Sequence, residues 1–182
     1  MARKRLIRRA ISAVATLAIA AGVLVAATLP AEAYATNGCT WSSATLNVRN
    51  QMPSGTYSTV AVDSISAWST STDVNLSPTT STSAAWSIKT YDQGANGYSG
   101  YSYWTCLLGH FTNAQATLNP YYTDGYSTSK KRAVAVHELG HTLGLAHASG
   151  AVIMNSCPGC MWDSYAFWTP RTDDRHGINA LY

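Results

Sequence analysis

The stretch HELGHTLGLAH at residues 137–147 constrains this chain more than any other feature. On an α-helix, His137 and His141 lie four residues apart and project from one face, so both imidazoles reach a single metal ion. Glu138 follows the first histidine directly, which places its carboxylate beside the ion, where it accepts a proton from a metal-bound water. The spacing therefore predicts a hydrolytic zinc site carried by a helix.

A glycine after this helix allows a third ligand. Gly144 enters positive-φ conformations at little steric cost, so we expect the helix to end sharply there and His147 to turn back toward the ion. Three imidazoles then hold zinc in a tetrahedron whose fourth place is left to water. We predict His137, His141 and His147 as metal ligands and Glu138 as the catalytic base.

The residues around the motif predict the rest of this helix. Ser127 or Ser129 is suited to cap its N-terminus. The basic run 130–132 falls in the first turn and is interpreted as a solvated face. An apolar stripe at i, i+3, i+4 and i+7 is expected to pack inward while the histidines face a cleft. Its members are Val136, Leu139, Gly140 and Leu143.

The pattern His-Glu-x-x-His-x-x-Gly-x-x-His resembles the metzincin clan of zinc endopeptidases. A second hallmark of that clan is a methionine turn beneath the metal, and Met154 stands seven residues after His147. This short gap and the closing segment TPRTDDRHGINALY are most similar to the matrixin branch. The chain departs from astacin-like and serralysin-like enzymes, because Ser156 stands where those have a tyrosine two residues after the methionine.

This resemblance extends over most of residues 39–182 and implies an α+β domain of the metzincin type. Its parts would be a twisted mixed sheet, a first helix, the active-site helix, an irregular segment at 147–168 that includes the methionine turn, and a C-terminal helix. An extended peptide or protein substrate would bind between the sheet edge and the active-site helix. Met154 is expected to pack beneath the site, since a thioether competes poorly with imidazole for zinc.

Hydrophobic periodicity predicts the elements that precede the motif. Apolar residues recur at helical spacing between Tyr57 and Trp68, which indicates an amphipathic helix. The stretch 92–104 is rich in Gly, Tyr and Ser and is interpreted as a loop. Residues 111–119 form a strand whose metzincin counterpart is the edge strand along which a peptide lies. Further strands are predicted at 44–50, 73–76 and 84–90.

The first 33 residues are expected to be a signal peptide. MARKRLIRR holds five of the chain's twelve basic residues, an apolar run follows at 10–29, and small residues at 31 and 33 suit signal peptidase. We expect cleavage after Ala33, with Ala35 as the alternative, and no propeptide before Cys39. The apolar run is also long enough for an uncleaved membrane anchor. Cleavage would leave one catalytic domain at 34–182, secreted and without stable membrane association.

Removal of that peptide changes the charge balance. Residues 34–182 keep seven basic and eight acidic side chains, so the formal net charge of +3 falls to about −1. The basic excess is therefore a targeting feature and predicts neither nucleic-acid binding nor a membrane-binding patch. We expect a monomer.

Four cysteines in a secreted domain predict disulfides, with three possible pairings. We favour Cys39 with Cys106, and Cys157 with Cys160 as a clip after the methionine turn. The CPGC tetrapeptide is also compatible with a redox dithiol or half of a zinc knuckle. No second closely spaced pair completes a four-cysteine site, and no thioredoxin-like context surrounds it.

Other residues carry weaker patterns. The pocket for the residue after the scissile bond is expected from the segment that follows His147, and its rings favour an apolar or aromatic preference, although they suit the core equally well. These rings are Trp162, Tyr165, Phe167 and Trp168. Asp163, Asp173 and Asp174 are candidates for a calcium site of the matrixin kind, without a spaced Asp/Asn/Gly loop to support it; the last two also suit a helix cap. His110 and His176 lack partners at ligand spacing and are assigned to structure or surface.

A secreted zinc endopeptidase is the leading function. One alternative is a zinc-bearing extracellular binding module with little turnover, and another is a peptidase that acts on cell-wall peptides. Glu138 argues against the binding module, because a structural zinc needs no carboxylate there and favours a fourth protein ligand. The sequence does not decide between protein and cell-wall substrates.

Overall fold

The computed structural model describes residues 34–182, so the expected signal peptide at 1–33 lies outside the described residues. Seven strands and five helices are assigned within this range. In chain order they are β1 (Ala35–Thr36), β2 (Thr45–Gln51), α1 (Thr56–Ser71), β3 (Asn75–Thr79), β4 (Trp86–Thr90), β5 (Gly100–Leu107), β6 (His110–Leu118), α2 (Pro120–Thr123), α3 (Thr128–Thr142), β7 (Leu145–Ala146), α4 (Pro158–Tyr165) and α5 (Thr172–Leu181). None of the helices in this part of the chain is long and apolar enough to cross a membrane.

Five of the strands form one mixed sheet in the order β3-β2-β4-β6-β5. β2 pairs in parallel with β3 and β4, and β4 pairs in parallel with β6. β5 runs antiparallel to β6 and has no partner strand on its other side within residues 34–182, so it is an edge strand. The remaining pair joins β1 to β7, which places the N-terminal strand beside the segment between the second and third histidines of the motif. The predicted α+β fold with a mixed sheet is confirmed.

The prediction for the edge strand is wrong. A strand is present close to the predicted 111–119, at His110–Leu118, but this strand, β6, lies inside the sheet between β4 and β5. The edge strand is β5, which occupies Gly100–Leu107 where a loop was predicted for 92–104. Its glycine and serines suggested a loop, yet Tyr101, Tyr103 and Thr105 alternate along it and are good strand formers.

Helices α1 and α3 pack against each other and against the sheet. The indole nitrogen of Trp68 in α1 donates to the carbonyl of Val136 in α3 at 2.9 Å, and Trp68 is fully buried. Trp86 in β4 donates to the hydroxyl of Thr142 in α3, also at 2.9 Å. These bonds satisfy polar groups of core tryptophans, as burial requires. They fix α3 against both neighbours.

The predicted helix around 57–68 is confirmed as α1, and its predicted apolar face is buried. The strands predicted at 44–50, 73–76 and 84–90 correspond to β2, β3 and β4 with shifted ends. Pro78 lies in β3, at the sheet edge opposite β5, where a missing N–H is tolerated. The segment 147–168 is less irregular than predicted, because it contains α4.

Both preferred disulfides are present, Cys39–Cys106 and Cys157–Cys160, and the described residues contain no free cysteine. The first connects the segment before β2 to the end of β5. The second closes the first turn of α4 directly after the methionine turn, so the CPGC tetrapeptide is a structural clip.

The interpretation of residues 130–132 as a solvated face is wrong. Lys131 is 7% exposed, and its ammonium donates to the carbonyl of Tyr126 at 2.8 Å and lies over the ring of Tyr57. Lys130 pairs with Asp163 at 2.6 Å, and Arg132 pairs with Asp63. Long basic side chains bury their aliphatic stems when a partner receives the charged end. This run therefore anchors the start of α3.

Candidate metal centre and active-site cleft

Helix α3 presents the motif and is capped at both ends as its sequence predicts. Ser127 is the N-cap, and its hydroxyl accepts from the amide of Lys130 at 3.2 Å. After the helix, Gly144 has φ of 111°, a conformation that favours glycine. A Cβ there would lie 2.6 Å from the carbonyl oxygen of Cys39, so space as well as φ requires glycine. The chain then reverses through β7 to His147.

The three predicted ligands meet at one point. One nitrogen from each of His137, His141 and His147 lies within 4.8 Å of the other two, and this is the one such group of three or more ligating side chains within residues 34–182. His137 is 2% exposed, His141 is half-buried and His147 is exposed. The site therefore has a buried floor and an open mouth.

Backbone carbonyls fix the protonation of two of the rings. His137 Nδ1 lies 2.8 Å from the carbonyl oxygen of Ile153, and His141 Nδ1 lies 2.8 Å from that of Leu145. A carbonyl only accepts, so each Nδ1 is the donor and each Nε2 is left with a lone pair. The two Nε2 atoms face each other at 3.1 Å. Two lone pairs at this distance need a shared cation, so the donor set fits a divalent metal such as zinc.

Burial holds the imidazoles in the neutral form that ligates metals. Burial lowers the pKa of His137 to about 3, and the neighbouring His141 acts in the same direction. It also lowers the pKa of His141 to about 4, against the hydrogen bond to Leu145. Both rings are therefore neutral at physiological pH.

Glu138 lies beside the triad on the same helix. Its side chain is 4% exposed, and burial raises its pKa to about 8, while a hydrogen bond from Ser102 opposes that rise. The hydroxyl of Ser102 lies 2.8 Å from Glu138 Oε2 and 2.8 Å from the main-chain oxygen of the same residue. A buried carboxylate with few partners is the arrangement expected of a proton acceptor.

The methionine turn lies under the histidines. Met154 is 1% exposed and packs against Gly140, where an added Cβ would also lie 3.0 Å from Cζ2 of Trp68. Asp174 of α5 is 1% exposed and accepts from the amides of Ile153 at 2.9 Å and Met154 at 3.1 Å. α5 thus holds the turn that carries the carbonyl partner of His137.

The metal centre opens into a cleft of about 610 Å³. It is lined by β5 with the loop before it and by the start of α4. The aromatic residues that line it are Tyr98, Tyr101, Trp104, Tyr122 and Tyr126. None of the rings at 162, 165, 167 and 168 lines the cleft. Trp162, Phe167 and Trp168 pack against the core, which is the alternative that the sequence left open. The segment after His147 contributes instead Ser156, the disulfide clip and Asp163.

The assignments of the acidic residues and of the two other histidines are confirmed only in part. Asp163 pairs with Lys130, and Asp174 accepts backbone amides, so the three predicted calcium candidates do not converge. Asp174 also accepts from the amide of Arg171 at 2.7 Å, which confirms its predicted role as a helix cap. His110 and His176 are exposed, in agreement with the surface assignment.

Sequence reasoning missed two groups of site residues. Gly100 and Ser102 were assigned to a loop, although the alternation in GYSYWT indicated a strand. Asn119 is fully buried, and its side-chain amide donates to the carbonyls of Gly94 and Tyr98 in the cleft loop. Nothing in the local sequence of this asparagine signals that role.

The chain is similar to one known protein family and to individual known proteins. A family model described as matrixin, a peptidase family, matches residues 34–182. The macrophage metalloelastase of Rattus norvegicus is 35% identical over 78 residues, which are 40% of this chain and 14% of that protein. The chain therefore matches only a small part of that relative's length. A solved structure of myroilysin aligns with 15% identity and a TM-score of 0.48, over 63% of this chain and 54% of that chain. With the family model matched across all the described residues, the chain belongs to the matrixin family.

Proposed function

We propose that this chain is a secreted zinc-dependent endopeptidase in which Glu138 is the catalytic base. The observation that carries the proposal is a carboxylate that is 4% exposed beside three convergent imidazoles. The triad supplies three protein ligands and leaves a fourth position open, which is the composition of catalytic zinc sites; structural sites use four protein ligands.

His137, His141 and His147 would hold the ion. When bound there, zinc would lower the pKa of a coordinated water toward about 7 and would polarise the scissile carbonyl. Glu138 accepts the proton as the water attacks and delivers it to the leaving amine. Met154 supports the histidines by packing and is not a ligand.

The open edge of β5 supports a peptide substrate. An extended chain that lies along this edge would gain main-chain hydrogen bonds of the kind that join neighbouring strands. These bonds do not depend on side chains, so they provide affinity for many sequences. Selectivity then falls to the tyrosine-lined cleft and to the start of α4.

Export is part of the proposal. The basic and apolar segment before residue 34 has the composition of a signal peptide, and two disulfides suit an oxidising compartment. We expect a mature protein that begins at Tyr34, acts as a monomer and is found outside the cell. N-terminal sequencing of the exported protein tests this directly, and a mature chain that retains the apolar segment would contradict it.

The catalytic proposal is tested with zinc-loaded protein and a random peptide library. Wild type should contain one zinc per chain and cleave peptides internally. Glu138→Gln should keep the zinc and lose about 10²- to 10⁴-fold in kcat, the range for a general base. A Glu138→Gln variant with full zinc and full activity would overturn the mechanism. Zinc binding by wild type without cleavage would favour the binding module, and cleavage confined to crosslinked wall peptides would favour the cell-wall alternative.

A further inference from the structure

Both carboxylate oxygens of Glu138 face strand β5. Oε2 accepts the hydrogen bond from Ser102 at 2.8 Å. Oε1 lies on the side of Gly100, where a Cβ would be only 2.7 Å from it. Residues 100 and 102 are two apart on one strand, so their side-chain positions share a face. Within the described residues, this face of β5 is the part of the sheet that meets the Glu138 carboxylate.

The two positions do different things to the carboxylate. The single proton of the Ser102 hydroxyl is shared between two acceptors of the same residue, Oε2 and the main-chain oxygen of Glu138. A hydrogen bond to a carboxylate is shorter and stronger than one between neutral groups. Gly100 lets the carboxylate approach the strand closely, because a Cβ there would lie 2.7 Å from Glu138 Oε1 and 2.7 Å from Val134 Cγ1.

This arrangement is not needed to hold the sheet together. β5 is joined to β6 through its backbone over the register Gly100↔Leu118 to Leu107↔His110. Ser102 is half-buried, and both hydrogen bonds of its hydroxyl go to Glu138. Removal of the hydroxyl should therefore leave the strand in place and release the carboxylate.

We propose that Ser102 is a positioning residue for Glu138 and that Gly100 provides the space this position requires. The proposal rests on the proposed function and adds to it the group that orients the base. The Ser102 hydroxyl holds Oε2 and thereby restricts the rotation of the carboxylate. A displacement of about 1 Å in a reacting group costs about 10²-fold in rate, so a loosely held carboxylate would be a poor base even with zinc in place.

The test uses zinc-loaded full-length protein and three variants that each remove or keep one side-chain hydroxyl. Ser102→Ala removes the hydroxyl, and Ser102→Thr keeps it with a strand-compatible side chain. As a control, Thr112→Val removes a hydroxyl from the neighbouring strand β6, where its partner is the hydroxyl of Thr105. Measurements are kcat, KM, zinc content and the melting temperature.

Ser102→Ala should lose about 10- to 100-fold in kcat with KM and zinc content unchanged. Ser102→Thr should recover most of that loss, and Thr112→Val should match wild type. An unchanged kcat in Ser102→Ala would overturn the proposal. A rise in KM alone would also overturn it, since it would make Ser102 a substrate contact, and loss of zinc would make it part of the metal site.

Gly100→Ala provides a second, independent variant. It should lower kcat because the new Cβ displaces the carboxylate. Gly125→Ala serves as its control, since the added Cβ there would lie 3.8 Å from the carbonyl oxygen of Tyr122. Equal kcat for the two glycine variants would contradict the role of Gly100.

The orientation of Glu138 is also testable without turnover. A crystal structure of zinc-loaded Ser102→Ala should show the Glu138 carboxylate rotated or in several conformers, and an unchanged side chain would overturn the proposal. If wild type cleaves no peptide at all, the proposed function fails, and this structural result alone then decides whether Ser102 positions the carboxylate.

Discussion

Asp174 and His137 are connected through a single residue. The carboxylate of Asp174 accepts from the amide of Ile153 at 2.9 Å, and the carbonyl of Ile153 accepts from His137 Nδ1 at 2.8 Å. A buried acid on α5 therefore sets the position of a backbone carbonyl, and that carbonyl sets the tautomer of the most buried histidine. Outer partners of this kind orient metal ligands in proteins generally.

Replacement of Asp174 should weaken both the fold and the metal site. Asp174→Ala leaves the amides of Ile153, Met154 and Arg171 without their acceptor. We expect a loss of about 2 to 4 kcal/mol in the free energy of unfolding and a fall of about 10- to 100-fold in zinc affinity. Denaturant unfolding and competition with a zinc chelator measure the two effects. Asp174→Asn keeps one oxygen acceptor, so its stability and zinc affinity should lie between those of wild type and Asp174→Ala. An Asp174→Ala variant as stable as wild type would contradict the connection from Asp174 through Ile153 to His137.

Gly140→Ala should test the packing of the methionine turn. Alanine normally stabilises a helix interior relative to glycine, but here the added Cβ would lie 3.0 Å from Trp68 and closer still to the sulfur of Met154. We expect a net destabilisation of about 1 to 3 kcal/mol from overpacking. The cost should shrink in a Met154→Ala background, because the crowded sulfur is absent. Additive effects in this double-mutant cycle would count against the contact.

The two disulfides should differ in their contribution to stability. Cys39 and Cys106 are 67 residues apart, whereas Cys157 and Cys160 are 3 apart. In the chain-entropy account, loss of the disulfide that closes the long loop lowers the free energy of unfolding by about 4 kcal/mol, and loss of the one that closes the short loop lowers it by about 1.5 kcal/mol. Paired Cys→Ala variants, compared by denaturant unfolding, measure the difference. The reverse order would show that the short clip acts through native contacts at the cleft.

Alkaline pH should destabilise the fold through Tyr182. Its hydroxyl donates to the carbonyl of Leu143 at 3.0 Å and accepts from the amide of Trp41 at 3.1 Å, and burial raises its pKa to about 12. Below pH 10 the phenol is neutral in folded and unfolded chains, so it adds no pH dependence. Between pH 10 and about 12 the unfolded chain loses the proton first, so the free energy of unfolding falls as the pH rises.

Tyr182→Phe isolates this effect. The variant should be about 1 kcal/mol less stable at neutral pH, because two hydrogen bonds are lost. Its unfolding free energy should fall less steeply above pH 10 than that of wild type. Parallel pH profiles would assign the alkaline sensitivity to other groups, among them Tyr57, whose pKa burial also raises to about 12.

The active-site helix could be predicted because the residues that determine it lie close together in the sequence. The spacing of His137 and His141, the cap at Ser127 and the turn at Gly144 all follow from geometry within a few residues of the motif. The family resemblance added the methionine turn and the closing helix. Both disulfides were favoured from the cysteine spacing and the secreted context.

The features that could not be predicted from the sequence depend on contacts between residues that are far apart in the chain. Ser102 meets Glu138 across 36 residues, and Lys131 is buried only because the ring of Tyr57 and the carbonyl of Tyr126 are there to receive it. The edge strand β5 was missed because Gly100 and Ser102, on the face toward Glu138, have small side chains. Larger side chains there would leave no room for the carboxylate. Local composition suggests a loop in such a place, and only the packing of α3 reveals a strand.

The open edge of β5 also affects how readily the protein aggregates. Unpaired strand edges are templates for other chains, including further copies of the same protein, and long flat edges lead to aggregation. Here the usable edge is short, because the register shifts between Thr105 and Cys106 and the disulfide to Cys39 holds the strand at that point. The same interruption that limits self-association limits how far a bound peptide can follow the strand. Peptidomimetic ligands longer than the stretch from Gly100 to Thr105 should gain little from further main-chain pairing.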